Sequence, residues 1–186
     1  MSTKDNVLEI IDELLTHSKT IDEVQLSESV KLILEADRIF VGGAGRSGFV
    51  GRAFANRLMH LGLDMFFVGD ATTPSIREGD VLFIISGSGN TAGFVNNARV
   101  AKKEKAKIIT MTIFPENTIG QLADLCVVLA GCTYKADNKK QVVSKQLLGS
   151  MFEQLSWISC DAIAMELGKK LNQTSETMQY RHANME

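Results

Sequence analysis

Apolar residues fall along this chain in two rhythms. In the first 35 positions Val7, Leu8, Ile11, Leu14 and Leu15 recur at helical spacing, and a second helical series passes through Val24, Val30, Leu32 and Leu34. From position 38 onward the pattern changes to short unbroken apolar runs. Residues 38–42, "DMFFVG", "DVLFIIS", "KIITMTI" and "LCVVLA" predict five strands. Helical stretches separate them: one from about Ser47 to Leu61, one over "AGFVNNARVAKKEKA" whose basic end suits the helix dipole, and a short one through Ile119 and Leu122 after Pro115. Residues 131–144 read as polar and turn-like. A long helix is expected from about Lys145 to Leu171, and a polar tail after it.

Strands that are apolar throughout, rather than alternately, are buried on both faces, which is the mark of a parallel sheet covered by helices. The expected fold is therefore α/β: a three-layer sandwich around a five-stranded parallel sheet, flavodoxin-like or Rossmann-like, with extra helices at the N- and C-terminal ends. Two prolines and the absence of a Ser/Gly-rich linker favour one domain over residues 1–186. Ligands of such sheets sit at the carboxyl ends of the strands near a topological switch point. Two glycine-containing loops fall at that edge, "GGAGRSG" and "SGSGNT".

Composition narrows the choice of ligand. The net charge of −2 provides no bulk basic field for nucleic acid or an anionic membrane, so an anion must be held by a local site. No apolar run approaches the ~20 residues that span a bilayer. The opening "MSTKDNVLEIIDELL" carries acids through its apolar positions, unlike a secretory leader. The three cysteines, Cys126, Cys132 and Cys160, form no C-x-x-C pair and no zinc spacing, which suits idle thiols in a reducing cytosol.

In the first loop Gly43, Gly45 and Gly48 match the G-x-G-x-x-G spacing of a dinucleotide fold, and Asp70 stands 22 positions after Gly48, where a ribose-binding acid would fall. That reading gives no role to the second loop, Ser86-Gly87-Ser88-Gly89-Asn90-Thr91. Glycines there let backbone N–H groups converge, hydroxyls add donors, and the following helix start adds partial positive charge. The combination suits a terminal phosphate monoester better than plain helix capping by Ser or Thr. Arg46 and Ser47 of the first loop would point into the same crevice, and a cation at a helix start is better explained by an anionic partner.

The stretches "GGAGRSGFVGRAFANRLMHLG", "ISGSGNT", "LLGSMFEQ" and "RHANME", in this order, resemble the 6-phospho-3-hexuloisomerase family of the sugar isomerase (SIS) domain superfamily. The resemblance implies a cofactor-free cytoplasmic isomerase that interconverts a 3-hexulose 6-phosphate and fructose 6-phosphate. It also implies a homotetramer whose active sites are completed by a neighbouring subunit. Gly45, Arg46, Ser47, Ser86, Gly87, Ser88, Gly89, Asn90 and Thr91 then bind the substrate. Moving a ketone between adjacent carbons through an enediol needs a base beside the substrate and a second group for the oxygen-bound protons, with no metal. Glu153, among Met151, Phe152, Leu155 and Trp157, is the candidate base, and His182 the second group. His60 is a rival, late in its helix, where packing or contact with the last carbonyls is expected. Because a long helix separates Glu153 from His182, the pair is expected to come from two subunits.

The chain departs from the family pattern at two places. The serine loop usually reads S-G-S-G-E-T, whereas Asn90 is an amide and cannot act as a base. The usual Q-P-M-G-S before the final helix is Gln146-Leu147-Leu148-Gly149-Ser150 here. Other readings are a different sugar-phosphate isomerase, for example one acting on arabinose 5-phosphate, a non-catalytic sugar-phosphate sensor, and the dinucleotide oxidoreductase.

Overall fold

The computed structural model describes residues 2–134 and 141–185. Its core is one sheet of five parallel strands: β1 (Ile39–Gly43), β2 (Met65–Phe67), β3 (Val81–Ile85), β4 (Lys107–Thr112) and β5 (Leu125–Val128), in the order β2-β1-β3-β4-β5. Within each strand, side chains alternate between two buried clusters. Ile39, Val41, Phe83, Ile85, Ile109 and Met111 face one, and Phe40, Leu82, Ile84 and Ile108 face the other. Burial on both faces explains why the strands read as unbroken apolar runs.

The first cluster is covered by α2 (Glu23–Glu35), α3 (Gly45–His60) and α6 (Ser150–Lys170), and the second by α4 (Ala92–Lys103) and α5 (Thr118–Leu122). The outermost helix, α1 (Thr3–Ser18), has no fully buried residue and lies against α6, with Leu14 turned toward the core. The chain turns one way from β1 to β2 and the other way from β1 to β3, so the switch point lies between the loops that leave β1 and β3. Those are the two glycine-containing loops.

The final helix and the tail differ from expectation. Helix α6 starts at Ser150, not near Lys145. The Lys145 and Gln146 backbone N–H groups are taken by Glu13 and the Ser144 hydroxyl, and Leu148 adopts φ +47°, which a continuous helix cannot contain. The polar tail holds a further helix, α7 (Ser175–Tyr180). It is too short and polar to show an apolar period, and it starts in a capping box between Thr174 and Thr177. Of the stretch expected to be turn-like, residues 135–140 lie outside the described residues.

Candidate active site

Helix α3 can follow β1 directly because its start lies against the strand. A Cβ on Gly48 would sit 2.7 Å from the Gly43 carbonyl oxygen. This places Arg46 and Ser47 at the carboxyl edge of the sheet. The second loop is drawn under that edge by buried hydroxyls of β4. The Thr110 hydroxyl donates to the Ile84 carbonyl at 3.2 Å, and the Thr112 hydroxyl to the Gly87 carbonyl at 3.4 Å. Gly89 takes φ +62°, a conformation that closes the turn and that side chains disfavour.

The two loops meet the start of α6 around a cavity of about 480 Å³. Gly45, Arg46, Ser47, Ser86, Gly87, Ser88, Thr91 and Glu153, all expected from the sequence, line it together. Ser86 and Ser88 are buried, and the Ser86 and Thr91 hydroxyls lie 3.5 Å apart. The Arg46 guanidinium forms an ion pair with Glu153, whose side chain is only 16% exposed whereas that of Arg46 is 67% exposed. A charged pair thus stands at the rim on one side and neutral donors at the base on the other.

Gly89 and Asn90 are on the same loop but do not line the cavity. The Asn90 Oδ1 accepts the Thr118 N–H at 3.1 Å, and the Gly89 carbonyl accepts the Ile119 N–H at 2.9 Å. Both therefore anchor the start of α5. Asn90 supplies a cap that the α5 N-cap residue, Asn117, does not make, which gives the departure from the family loop a structural role. Asn117 instead donates its side-chain amide to the Ser88 carbonyl at 2.8 Å.

His182 is elsewhere. Its ring stacks on His60 at the far end of α3, with centroids 5.1 Å apart and planes 8° from parallel. Arg181 beside it donates to the His60 carbonyl at 3.2 Å and to the Gln173 side chain at 2.8 Å. Since Glu153 pairs with Arg46 at the start of α3 and His182 stacks on His60 at its end, about 24 Å of helix lies between the two. Within one chain the two are at opposite edges of the sheet. Burial holds the His60 imidazole below its ordinary pKa, helped by the nearby His182 and Arg57 charges.

The pattern of helix capping marks the cavity. Away from it, Ser2, Asp22 and Thr174 cap α1, α2 and α7 with their side chains. Around it, α3, α4 and α6 begin at Ala44, Thr91 and Gly149, none of which makes a side-chain cap. Three helix starts thus direct uncapped N–H groups and dipole ends at one space, a setting for an anion. The hydroxyl of Thr91 faces Ser86 instead of closing its own helix.

The cavity wall includes residues that the sequence reading did not assign to the site: Tyr134, Cys132, expected to be an idle thiol, and Leu147, Leu148 and Ser150, noted only where the chain departs from the family pattern. Ser150, following glycine at a helix start, carried a readable signal. The others come from a segment without periodicity, and only the tertiary structure brings them to the site.

Asp70 is committed to Arg52, which donates to its two carboxylate oxygens at 2.9 and 3.3 Å while lying 3.9 Å over the Phe67 ring. The acid that a dinucleotide site would need for a ribose therefore has a structural partner. No helix of the described residues is long and apolar enough to cross a membrane.

Comparisons with known proteins agree with this geometry. The SIS domain model matches residues 32–133. The chain is 39% identical to a 3-hexulose-6-phosphate isomerase of Mycobacterium gastri over 97% of this chain and 90% of that protein. It is 38% identical to one of Bacillus subtilis over the whole of both. A crystal structure from Methanococcus jannaschii, from which a molecular function of 3-hexulose-6-phosphate isomerase was inferred, superposes with a TM-score of 0.83 at 35% identity, covering 98% of this chain and 99% of the other. The chain belongs to the SIS domain family, in the branch that holds the 3-hexulose-6-phosphate isomerases.

Proposed function

We propose that this protein interconverts 3-hexulose 6-phosphate and fructose 6-phosphate through an enediol, as a cytoplasmic enzyme acting through a single domain over residues 1–186 and needing no cofactor. The observation that carries this reading is the convergence of three uncapped helix starts and the Ser47, Ser86, Ser88 and Thr91 hydroxyls on the cavity that Glu153 rims. Such a cradle matches a phosphate dianion, which needs many donors and no counter-acid. Held there, the phosphate fixes the sugar's carbons beside the rim, so binding energy gained away from the reaction orients it.

Glu153 then serves as the base. Its carboxylate removes the proton from C2 of the 3-hexulose, the C2–H electrons form the C2=C3 bond, and O3 gains a proton. Returning the proton to C3 while O2 loses one leaves the C2 ketone of fructose 6-phosphate. Arg46, paired with Glu153 through an exposed side chain, is free to turn to the sugar oxygens once the carboxylate engages carbon.

His182 handles the oxygen-bound protons or ring opening, and it comes from a second chain of a homotetramer. Its distance from Glu153 within one chain supports this assignment. So do exposed apolar residues: Phe49 of α3 and Trp157 and Ile158 of α6 line a groove together with Arg46 and Glu153, and Leu8, Ile11 and Leu15 of α1 are exposed as well. Mixing Glu153→Gln and His182→Ala proteins under subunit-exchange conditions should restore part of the activity. No recovery despite proven exchange contradicts the shared site. The phosphate cradle is tested by thermal melting: fructose 6-phosphate should raise the melting temperature by mass action, and NADH should not. No shift with any sugar phosphate contradicts it.

A further inference from the structure

Helix α1 adds little to the core, yet it holds one wall of the cavity. Its Glu13 is the acceptor for three groups from one short segment. The Ser144 hydroxyl donates at 3.1 Å, the Lys145 backbone N–H at 3.0 Å and the Gln146 side-chain amide at 2.8 Å. One turn earlier, Glu9 takes the Lys145 ammonium. The segment runs directly into Leu147, Leu148 and Gly149, which line the cavity. It then enters α6, where the Glu153 N–H donates to the Gly149 carbonyl at 3.2 Å.

Apolar packing does not fix this wall. Leu147 is 84% exposed and Leu148 69% exposed, and Leu148 sits at an unfavourable positive φ. Polar contacts hold it instead: Glu13 on the outside and, on the cavity side, the Cys132 thiol, which donates to the Leu148 carbonyl at 3.0 Å. Partial burial of the Glu13 carboxyl favours its protonated form. Hydrogen bonds from Gln146, Lys145 and Ser144, with the nearby His17 charge, outweigh that and hold its pKa below the ordinary value. The carboxylate is thus the form that the wall requires.

We propose that Glu13 is a positioning residue of the reaction: a threefold acceptor on α1 that fixes residues 144–149 and, through them, the first turn of α6 that carries Glu153. The hydroxyls of the phosphate cradle, Ser47, Ser86, Ser88 and Thr91, stand on the loops that leave β1 and β3, and only its α6 start adjoins the segment held by Glu13, so loss of Glu13 acts on turnover far more than on binding. This inference rests on the reading of Glu153 as the base.

The test joins two measurements on the full chain. In Glu13→Ala, hydrogen exchange of the Lys145 and Ser150 amides should accelerate by about tenfold or more, while amides of the sheet and of residues 86–91 keep their protection. With 3-hexulose 6-phosphate, kcat should fall by about tenfold while KM stays within roughly twofold, since the misplaced group acts in the transition state and not on the phosphate. Glu13→Gln keeps one acceptor oxygen and should fall between the two. Glu9→Ala, which loses only the ammonium contact, should leave kcat within roughly twofold. Unchanged exchange at 145–150 in Glu13→Ala overturns the proposal, and so does faster exchange with kcat retained. A rise in exchange over the whole sheet marks general destabilisation and also counts against it. A wild-type protein without turnover overturns the reading of Glu153, and the exchange arm still decides whether Glu13 holds the wall.

Discussion

Six helix starts of this protein fall into two groups. Those of α1, α2 and α7 are closed by Ser2, Asp22 and Thr174, each spending a side-chain oxygen on the first turn of its own helix. Those of α3, α4 and α6 rim the cavity and have no side-chain cap, although hydroxyls stand beside all three. Capping contributes about 1 kcal/mol per helix, so leaving three starts open forgoes stability where a ligand is to be held. On the function proposed above, the first group serves the fold and the second an anion.

Substitutions can break this division at either side. The largest effect is expected at the rim: Glu153→Gln should lower kcat by roughly a thousandfold, within the range for loss of a general acid–base group, and leave the melting temperature nearly unchanged. Steady-state kinetics and a thermal melt read both quantities. Next comes the cradle. Ser88→Ala removes a donor to a charged group, and KM should rise by about tenfold or more with little change in kcat. A loss in kcat alone would place Ser88 on the wrong side of the division.

At the closed helix starts the signs reverse. Asp22→Ala removes the acceptor for the Val24 N–H at 2.8 Å and should cost about 1 kcal/mol, or roughly 2–4 °C in Tm, with kcat and KM unaltered. Altered kinetics there would mean that the two groups are not separate. The smallest effect is expected at the His60–His182 stack. His60 is held below its ordinary pKa of 6.5, so the folded state binds its proton less readily than the unfolded chain. Stability from the neutral ring is full above pH 6.5 and is lost as the pH falls through the lowered value. Chemical denaturation across pH 5–8 should show that slope in the wild type, and His60→Phe should flatten it.

The parallel sheet was legible because each strand is short, apolar throughout and buried on both faces, and the helices over it repeat their apolar positions at one period. The serine loop was legible for a different reason: helix capping alone does not call for hydroxyls and glycines alternating through Ser86 to Thr91. Less was readable after residue 131. Whether Lys145 and Gln146 are helical depends on Glu13, more than 130 positions away, and no local pattern encodes that. Helix α6 therefore starts at Ser150, five residues after the position that the local pattern predicts. Asn90 could be recognised as unable to act as a base, but its partner Thr118 is 28 positions on, so its role as a cap for α5 appears only in the fold. Helix α7 was hidden by its polar composition. Its partner Arg181 reaches back to His60, a contact across 121 positions.

The central claim is that the open helix starts hold a sugar phosphate for Glu153 to isomerise. The most direct measurement is a coupled assay that follows fructose 6-phosphate formed from 3-hexulose 6-phosphate, with wild type and Glu153→Gln side by side. The wild type should turn over, Glu153→Gln should lose about a thousandfold in rate, and fructose 6-phosphate should still protect that variant against melting. A wild-type protein that does not turn over this substrate, or a Glu153→Gln variant of full activity, would contradict it.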